Sequence, residues 1–142
     1  MANVSVDNFM GVLAAYMAAA AGVEHAGTPR ALWLYKAVEG PGVCAATWSV
    51  LAPYAGAIGY VPVLVSSIQC KTIGEDQAAI AQAQALYASL LDANGRPLRR
   101  KDLAGHRVLG VMELQAPAVI GRDEKKRAEV VFNFDAQVVA IP

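Results

Sequence analysis

The side chains best suited to metal binding or nucleophilic chemistry are two histidines and two cysteines: His25, His106, Cys44 and Cys70. They fall in four separate segments, and no HxxxH, HExxH or CxxC spacing gives any of them a neighbouring ligand. The sequence therefore predicts no metal site. The cysteines are 26 residues apart, which fits inert core thiols in a reducing compartment better than a disulfide framework.

Three other patterns could belong to a catalytic or phosphate-binding site, but each lacks a residue or an arrangement that such a site requires. Ser66 and Ser67 lie in a predicted strand without the GxSxG elbow of a nucleophilic serine. The glycine-rich residues 56–59 are followed by neither Lys-Ser nor Lys-Thr, so they indicate a turn and not a phosphate-binding loop. Asp123 and Glu124 are adjacent, and neighbours on a turn point apart, so they do not suggest an acid/base pair. We expect no catalytic residue, no cofactor and no enzyme activity.

The charge balance argues against general DNA binding. Twelve basic residues oppose twelve acidic ones, so no long-range positive field gathers nucleic acid. Basic triplets occur at residues 99–101 and 125–127, but no aromatic residue is interleaved with either for base stacking. We interpret both as solvated loops.

Residues 9–23 carry no charge. This run is shorter than the ~20 residues of a membrane span, and no Lys or Arg precedes Arg30, unlike in a signal peptide. We expect no membrane association. The larger apolar residues recur at helical spacing, which predicts an amphipathic helix capped by Ser5 or Asp7 and ended by Gly22.

Four further elements are predicted in the first two thirds of the chain. Residues 31–38 and 45–53 have strand composition and are separated by a turn at 39–42, which predicts a hairpin. The segment 53–62 should be irregular. A third strand follows at 61–70, with Pro62 at its start or on an edge.

A second helix is predicted after Thr72 and Glu75, which have the spacing of a capping box. Its apolar stripe consists of Ile80, Ala83, Tyr87, Leu90 and Leu91. Residues 96–105 are polar enough to form an exposed loop, and 107–114 should be a fourth strand. In the last strand Val130, Phe132 and Phe134 alternate with polar residues, which indicates one buried face.

These elements predict one α+β domain over residues 1–142, in which a mainly antiparallel sheet of about five strands packs against two helices. The other face and the edges of the sheet are left uncovered. Within 32–35 (LWLY) both faces are apolar, so we assign the leucines to the core and Trp33 to an exposed contact with a partner.

The second half of the chain contains Gln115-Ala116-Pro117, then Gly121-Arg122-Asp123-Glu124, then Arg127 and Phe132-Asn133-Phe134. In this order the motifs resemble the phage tail terminator, or minor capsid protein, family. That family reads Gln-Ser-Pro, two apolar residues, Gly-Arg-Asp-Glu, and an arginine leading into an aromatic strand that ends Asn-Phe. The matching residues here are 115–124, Arg127 and 131–134, after a matching strand at 61–68 and helix at 75–91, so the likeness covers roughly residues 60–138. Ala116 replaces the serine, and Lys125-Lys126 occupies a turn where the family often has glycine.

The resemblance implies a structural protein without cofactor that forms a ring, commonly of six copies, at the head-proximal end of a phage tail. Such a ring is assembled in the host cytoplasm, stops polymerisation of the tail tube protein, and contacts a head-completion (neck) protein, while DNA passes through its lumen only as cargo. A closed ring needs two different complementary patches on each copy. We therefore predict an interface that includes Gly121, Arg122, Asp123, Glu124, Arg127 and Trp33.

The arginine at position 122 would then pair with a carboxylate on a neighbouring copy or within its own turn. An ordinary charged hairpin that keeps the chain soluble explains the same residues equally well. The alternatives to a tail terminator are a neck or stopper protein and, from a different class, a small-molecule-binding domain whose pocket is lined by residues 53–62.

Overall fold

The computed structural model of the protein describes residues 3–142. In chain order the elements are β1 (Val4–Ser5), α1 (Val6–Ala21), β2 (Arg30–Leu34), β3 (Cys44–Gly56), β4 (Tyr60–Val61), β5 (Leu64–Gly74), α2 (Asp76–Ala88), β6 (Arg99–Leu103), β7 (His106–Met112), β8 (Ala118–Arg122) and β9 (Ala128–Ala140). They form an α+β fold, as the sequence predicts.

A long antiparallel ladder between β5 and β9 forms the middle of the main sheet, with Leu64 opposite Val138 at one end and Gly74 opposite Ala128 at the other. The strand order is β2-β3-β5-β9-β7-β6, and β8 pairs with β9 beside β7. The second edge of β9 is therefore divided: its first part pairs with β8 and its later part with β7. Strands β1 and β4 form a separate two-stranded sheet.

Both helices cover one face of this sheet. The alternation predicted for the last strand is confirmed, because Phe132 and Phe134 are buried towards the helices and stack with their ring centroids 6.1 Å apart. Helix α1 contributes Phe9, Met10 and Met17 to the same core. Each such fully buried side chain stabilises the fold by about 1.5–3 kcal/mol relative to exposure.

Helix α1 begins and ends at the capping residues that the sequence predicts. The Ser5 hydroxyl accepts a hydrogen bond from the Asn8 amide at 3.1 Å, and Gly22 adopts a left-handed φ of 72° while its amide donates to the Ala18 carbonyl. Both groups satisfy helix-terminal backbone that would otherwise lack a partner. The predicted cap and stop are confirmed.

The capping box predicted for α2 is wrong. Thr72 belongs to β5, which stays paired with β9 as far as Gly74, so its hydroxyl is buried 2.6 Å from the Ser49 hydroxyl. Glu75 is the N-cap residue but makes no side-chain capping bond. The buried stripe of α2 consists of Ala79, Ala83 and Leu86, and Ile80 is exposed.

The predicted hairpin of the first two sheet strands is also wrong, because β2 and β3 are parallel, with Trp33 opposite Val50 and Leu34 opposite Leu51. Tyr35 leaves β2 with a positive φ of 64°, which directs the chain away from a tight return. Residues 35–43, which we call the connection, join the end of β2 to the start of β3. The 40–43 segment makes only a local turn, closed by the Val43 amide on the Gly40 carbonyl.

Three smaller differences concern strand extent. Residues 99–103 form β6 instead of a loop, because they pair with β7. Strand β3 continues through Pro53 to Gly56, with a register shift after Pro53 that accommodates a residue without an amide hydrogen. Strand β5 begins at Leu64, after Pro62.

The two sides of the main sheet end differently. The outer edge of β2 is occupied by the chain itself, since the amides of Ala31 and Leu32 both donate to the Glu24 carbonyl. Within residues 3–142, no strand pairs with the outer edge of β6 or of β8. In the same range, no helix is both long enough and apolar enough to cross a lipid bilayer.

Candidate assembly surfaces

Strand β8 and the start of β9 form a hairpin whose turn contains the charge-dense residues 123–127. All five residues of β8 are exposed, and Val119 and Ile120 are 56% and 61% exposed. Gly121 lies at a register shift against β9 and has a φ of 156°. An apolar edge strand of this kind is unusual, because natural proteins normally protect such edges with charge or proline.

The carboxylate of Asp123 accepts hydrogen bonds from residues of its own turn. One carboxylate oxygen accepts the backbone amides of Lys125 at 3.1 Å and Arg127 at 2.8 Å, and the other accepts Nε of Arg127 at 2.7 Å. The Arg127 bond lowers the pKa of Asp123 below its ordinary value. This carboxylate is therefore committed to its own turn and is mostly shielded from solvent.

Arg122 reaches a different element of the same chain. Its two terminal nitrogens each lie 2.7 Å from a carboxylate oxygen of Asp76, in the first turn of α2. One of them also donates to the Lys126 carbonyl at 3.0 Å. The hydrogen bonding between Arg122 and Asp76 holds the pKa of Asp76 below its usual range. Within the chain, the carboxylate partner of Arg122 is thus on α2 and not in its own turn, while pairing with a neighbouring copy stays a prediction.

Arg127 ties the hairpin to the connection. Its guanidinium donates to Glu39 at 2.9 Å and lies 5.9 Å from the ring centroid of Trp48, while the Lys125 ammonium lies 3.3 Å from the same Glu39 carboxylate. The Arg127 bond is the main cause of a lowered Glu39 pKa. The hairpin is therefore fastened on both flanks, to α2 and to the connection.

Trp33 is only 7% exposed, so the expectation that it forms an exposed contact is wrong. It packs with Trp48 and Ile73 on the sheet face opposite the helices, where Ala37 and Cys44 also contact the cluster. The parallel register of β2 causes this burial, because it brings the connection over the same face. The Trp33 indole donates to the Arg30 carbonyl at 3.2 Å.

Four of the six residues predicted for an interface pack against or bind other residues of the same chain: Trp33, Arg122, Asp123 and Arg127. Gly121 and Glu124 are exposed, and Glu124 makes no hydrogen bond or ion pair within residues 3–142. A role in an interface stays a prediction for all six residues. Sequence spacing did not reveal the partners Asp76 and Glu39, which lie 46 and 88 positions from the arginines they bind.

A second exposed apolar surface lies at the opposite end of the β5–β9 ladder. It consists of Tyr54, Ile58 and Tyr60, and Ile58 is 89% exposed. The sequence reasoning missed this surface, although a signal was present: residues 40–70 contain no charged side chain. Such a run indicates either full burial or an apolar contact with a partner.

A cavity of about 390 Å³ adjoins this second surface and is lined by residues that include Asp7, Tyr35, Ile58 and Tyr60. The Tyr35 hydroxyl donates to Asp7 at 2.5 Å. Burial, reinforced by the Asp7 bond, raises the pKa of Tyr35 to about 12. The pair therefore supplies a neutral phenol and a carboxylate, each already engaged by the other.

The side chains capable of reaction are dispersed or inert. Burial raises the pKa of the Cys70 thiol to about 12 and also raises that of Cys44, so neither is a ready thiolate. Ser67 donates to Asp135 at 2.6 Å without a histidine beside it. Among residues 3–142, no group of three or more His, Cys, Asp and Glu side chains is placed to hold a metal ion.

Comparisons with known proteins give one informative likeness. No protein-family model matches the chain, and no curated protein matches it. Among solved structures, a chain described as "Virion of native gene transfer agent (GTA) particle" is similar, with a TM-score of 0.53 and 24% sequence identity. The alignment covers 89% of this chain and 84% of the other. At this identity, the likeness shows that the two chains share a fold.

Proposed function

We propose that this chain is a structural protein of a phage-like virion that joins copy to copy in a ring at the head-proximal end of the tail. There it stops growth of the tail tube and presents a surface to the head-completion protein. The observation that carries this proposal is the pair of unlike exposed apolar surfaces at opposite ends of one ladder. The fold, which is shared with a chain of the gene transfer agent virion, supports it.

We name the two surfaces by their residues. The hairpin surface is β8 with Val119, Ile120 and the turn residue Glu124, and the aromatic surface is Tyr54, Ile58 and Tyr60. Because β5 has 11 residues and a strand rises about 3.3 Å per residue, the ladder is about 35 Å long, and the two surfaces lie towards its opposite ends. A head-to-tail interface needs two different patches on each copy, and rotation about an axis can then close a ring.

The hairpin surface offers backbone groups as well as apolar side chains. An extended segment of a second copy can pair with the free edge of β8, in the manner of strand addition. Residues 57–63, which carry Ile58 and Tyr60, lie outside the main sheet and include β4. Within residues 3–142, β4 pairs only with β1, so its other edge is available for this contact. The ion pairs of Arg122 and Arg127 then act by holding β8 rigid, which lowers the ordering cost of association.

The sharpest test uses two variants that each block one surface, Ile58→Asp and Ile120→Asp. In a head-to-tail assembly each variant alone is a monomer, while an equimolar mixture forms dimers and nothing larger, because one intact pair of surfaces remains. Analytical ultracentrifugation distinguishes these species. Val38→Asp is the matched control, since Val38 is similarly exposed but belongs to neither surface. Assembly of either variant alone would contradict the proposal.

Action at the tail needs its own measurement. Particles that lack this chain should carry overlong or ragged tails in negative-stain images, and the purified chain should bind the ends of isolated tail tubes. A neck or stopper protein would instead bind portal-bearing heads and leave tail length unchanged. These two binding experiments separate the alternatives.

The cavity beside Asp7 and Tyr35 favours a second candidate, a small-molecule-binding domain. Its volume of about 390 Å³ lies within the range of ligand pockets, and residues from the glycine-rich 53–62 segment line it. A ligand would raise Tm in a metabolite screen, and Asp7→Asn would abolish that rise. A chain that binds a metabolite and associates with neither itself nor tails would favour this candidate.

A further inference from the structure

The two basic triplets of the sequence have different surroundings in the structure. In 125–127, Arg127 is bound by Asp123 and Glu39, and Lys125 also contacts Glu39. In 99–101, all three residues are exposed on β6, at the open edge of the main sheet. Two of the three cations in 125–127 are therefore paired with carboxylates, whereas none of those in 99–101 is.

Nothing acidic within residues 3–142 forms an ion pair with Arg99, Arg100 or Lys101. Asp102 is adjacent, but Arg107 occupies both of its oxygens, at 2.7 and 3.2 Å. The Lys101 ammonium lies 5.6 Å from the ring centroid of Tyr16, a contact that brings no opposite charge to it. The result is three adjacent cations that face solvent.

The wider segment has the same sign. Residues 92–107 hold five Lys and Arg side chains and two carboxylates, in a chain whose formal net charge is zero. Arg96 adds a fourth exposed cation just before β6. The chain is therefore electrically uneven, with a local positive strip along one edge and a compensating negative excess elsewhere.

Arg100 has an unusual backbone and lines a cleft. Its φ of 52° is in the left-handed region that non-glycine residues seldom adopt, and such conformations are concentrated at functional positions. A cleft of about 470 Å³ is lined by Arg100, Asp102, Arg107 and Leu109. Two guanidinium groups therefore border a concave, polar surface.

We propose that the β6 edge, with Arg96, Arg99, Arg100 and Lys101, contacts the phosphate backbone of duplex DNA. Guanidinium groups match phosphate oxygens in geometry and charge, and phosphate contacts do not read sequence. The strip itself contributes no aromatic side chain for base stacking, and the neighbouring Tyr16 ring is already in contact with Lys101. The contact therefore suits double-stranded rather than single-stranded nucleic acid. The neutral net charge makes it weak and short-ranged. It requires only a single chain, so it is independent of ring formation.

The test measures the anisotropy of a short labelled DNA duplex of mixed sequence with the full chain over a series of salt concentrations. Each neutralised phosphate contributes about −0.9 to the slope of log K against log salt, so three or four contacts predict a slope of about −3. The variant Arg99→Gln/Arg100→Gln should reduce its magnitude by about 2 and weaken binding at low salt by tenfold or more.

The matched control is Lys125→Gln/Lys126→Gln, which removes the same net charge from the other triplet. It should bind DNA like the wild type. Circular dichroism and thermal unfolding verify that both variants are folded. Absence of DNA binding by the wild type at low salt, or equal loss in the two variants, would overturn the proposal and leave the basic strand as protection of the sheet edge.

Discussion

Arg122 and Asp76, 46 positions apart in the chain, join through two 2.7 Å hydrogen bonds between guanidinium and carboxylate. The bonds connect the last residue of β8 to the first turn of α2, so they fix the hairpin relative to the helical layer. The densest charge cluster of the sequence thus serves largely as an internal fastening. The strand that this fastening holds in place is β8, which is exposed and apolar.

Removal of this fastening should loosen the hairpin with little effect on the core. We expect Arg122→Ala to lower Tm only slightly, because exposed ion pairs contribute little, and to increase amide hydrogen exchange selectively in residues 118–127. Arg107→Ala, which breaks a similar exposed pair with Asp102, is the control and should leave exchange in the hairpin unchanged. An unaltered hairpin in Arg122→Ala would show that the pair does not position it.

Reversal of both charges tests the same contact for assembly. Arg122→Asp/Asp76→Arg should restore the protected hairpin and the oligomer size that Arg122→Asp alone reduces. Size-exclusion chromatography with light scattering gives the oligomer size. A double variant that assembles no better than Arg122→Asp would mean that Arg122 also contacts another chain directly.

The turn should make stability depend on pH in the acid range. Arg127 lowers the folded-state pKa of Asp123, so its contribution is fully present above the unfolded pKa of about 3.9. This contribution to stability is lost as the pH falls through the lowered folded-state pKa of Asp123. Asp123→Asn should therefore have a lower Tm than the wild type at neutral pH, and the two Tm values should begin to converge as the pH falls below about 4. A constant difference would show that the charge of Asp123 is unimportant.

The aromatic pair of β9 should dominate the stability of the core. Phe132→Ala removes a ring that packs between Phe134 and Tyr87 and should cost about 3–5 kcal/mol of unfolding free energy. Val119→Ala, on the exposed strand, should change it by less than about 0.5 kcal/mol. Urea unfolding followed by circular dichroism measures both. A smaller cost for Phe132→Ala would mean that the core collapses around the cavity.

Two glycines of the 53–62 segment should differ in their tolerance of a methyl group. Gly56 has a φ of 120°, and a Cβ atom there would collide with the Val65 carbonyl, whereas Gly59 has a φ of 75° and open space around it. Gly59→Ala should cost about 1–2 kcal/mol from backbone strain alone. Gly56→Ala should cost more, because β5 must also shift, and thermal unfolding of the two variants ranks them.

Local sequence signals were sufficient where the partners are local. The Ser5 cap, the Gly22 stop and the alternation through Phe132 and Phe134 each depend on neighbours within one element. The α+β class followed from these elements. Spacing alone predicts such features because it states which face a side chain shares with the next.

The features that sequence did not predict depend on contacts between distant segments. Thr72 has the spacing of a cap but remains in β5, since a longer ladder with β9 satisfies more backbone groups than the cap would. The polar residues 99–103 form a strand because β7 pairs with them, and Trp33 is covered because β2 lies parallel to β3. In each case tertiary pairing overrides a local preference.

One edge of the sheet, at β2, donates two amides to the carbonyl of Glu24, whereas no strand among residues 3–142 pairs with the outer edges of β6 and β8. The contact with Glu24 disfavours addition of a strand at β2, so a further strand is best received on the β6 and β8 side. Two copies that pair through the same open edge form a closed two-fold dimer. An assembly that instead receives a different segment of the next copy at this edge has an intrinsic polarity, so that its two ends differ even though every copy is identical.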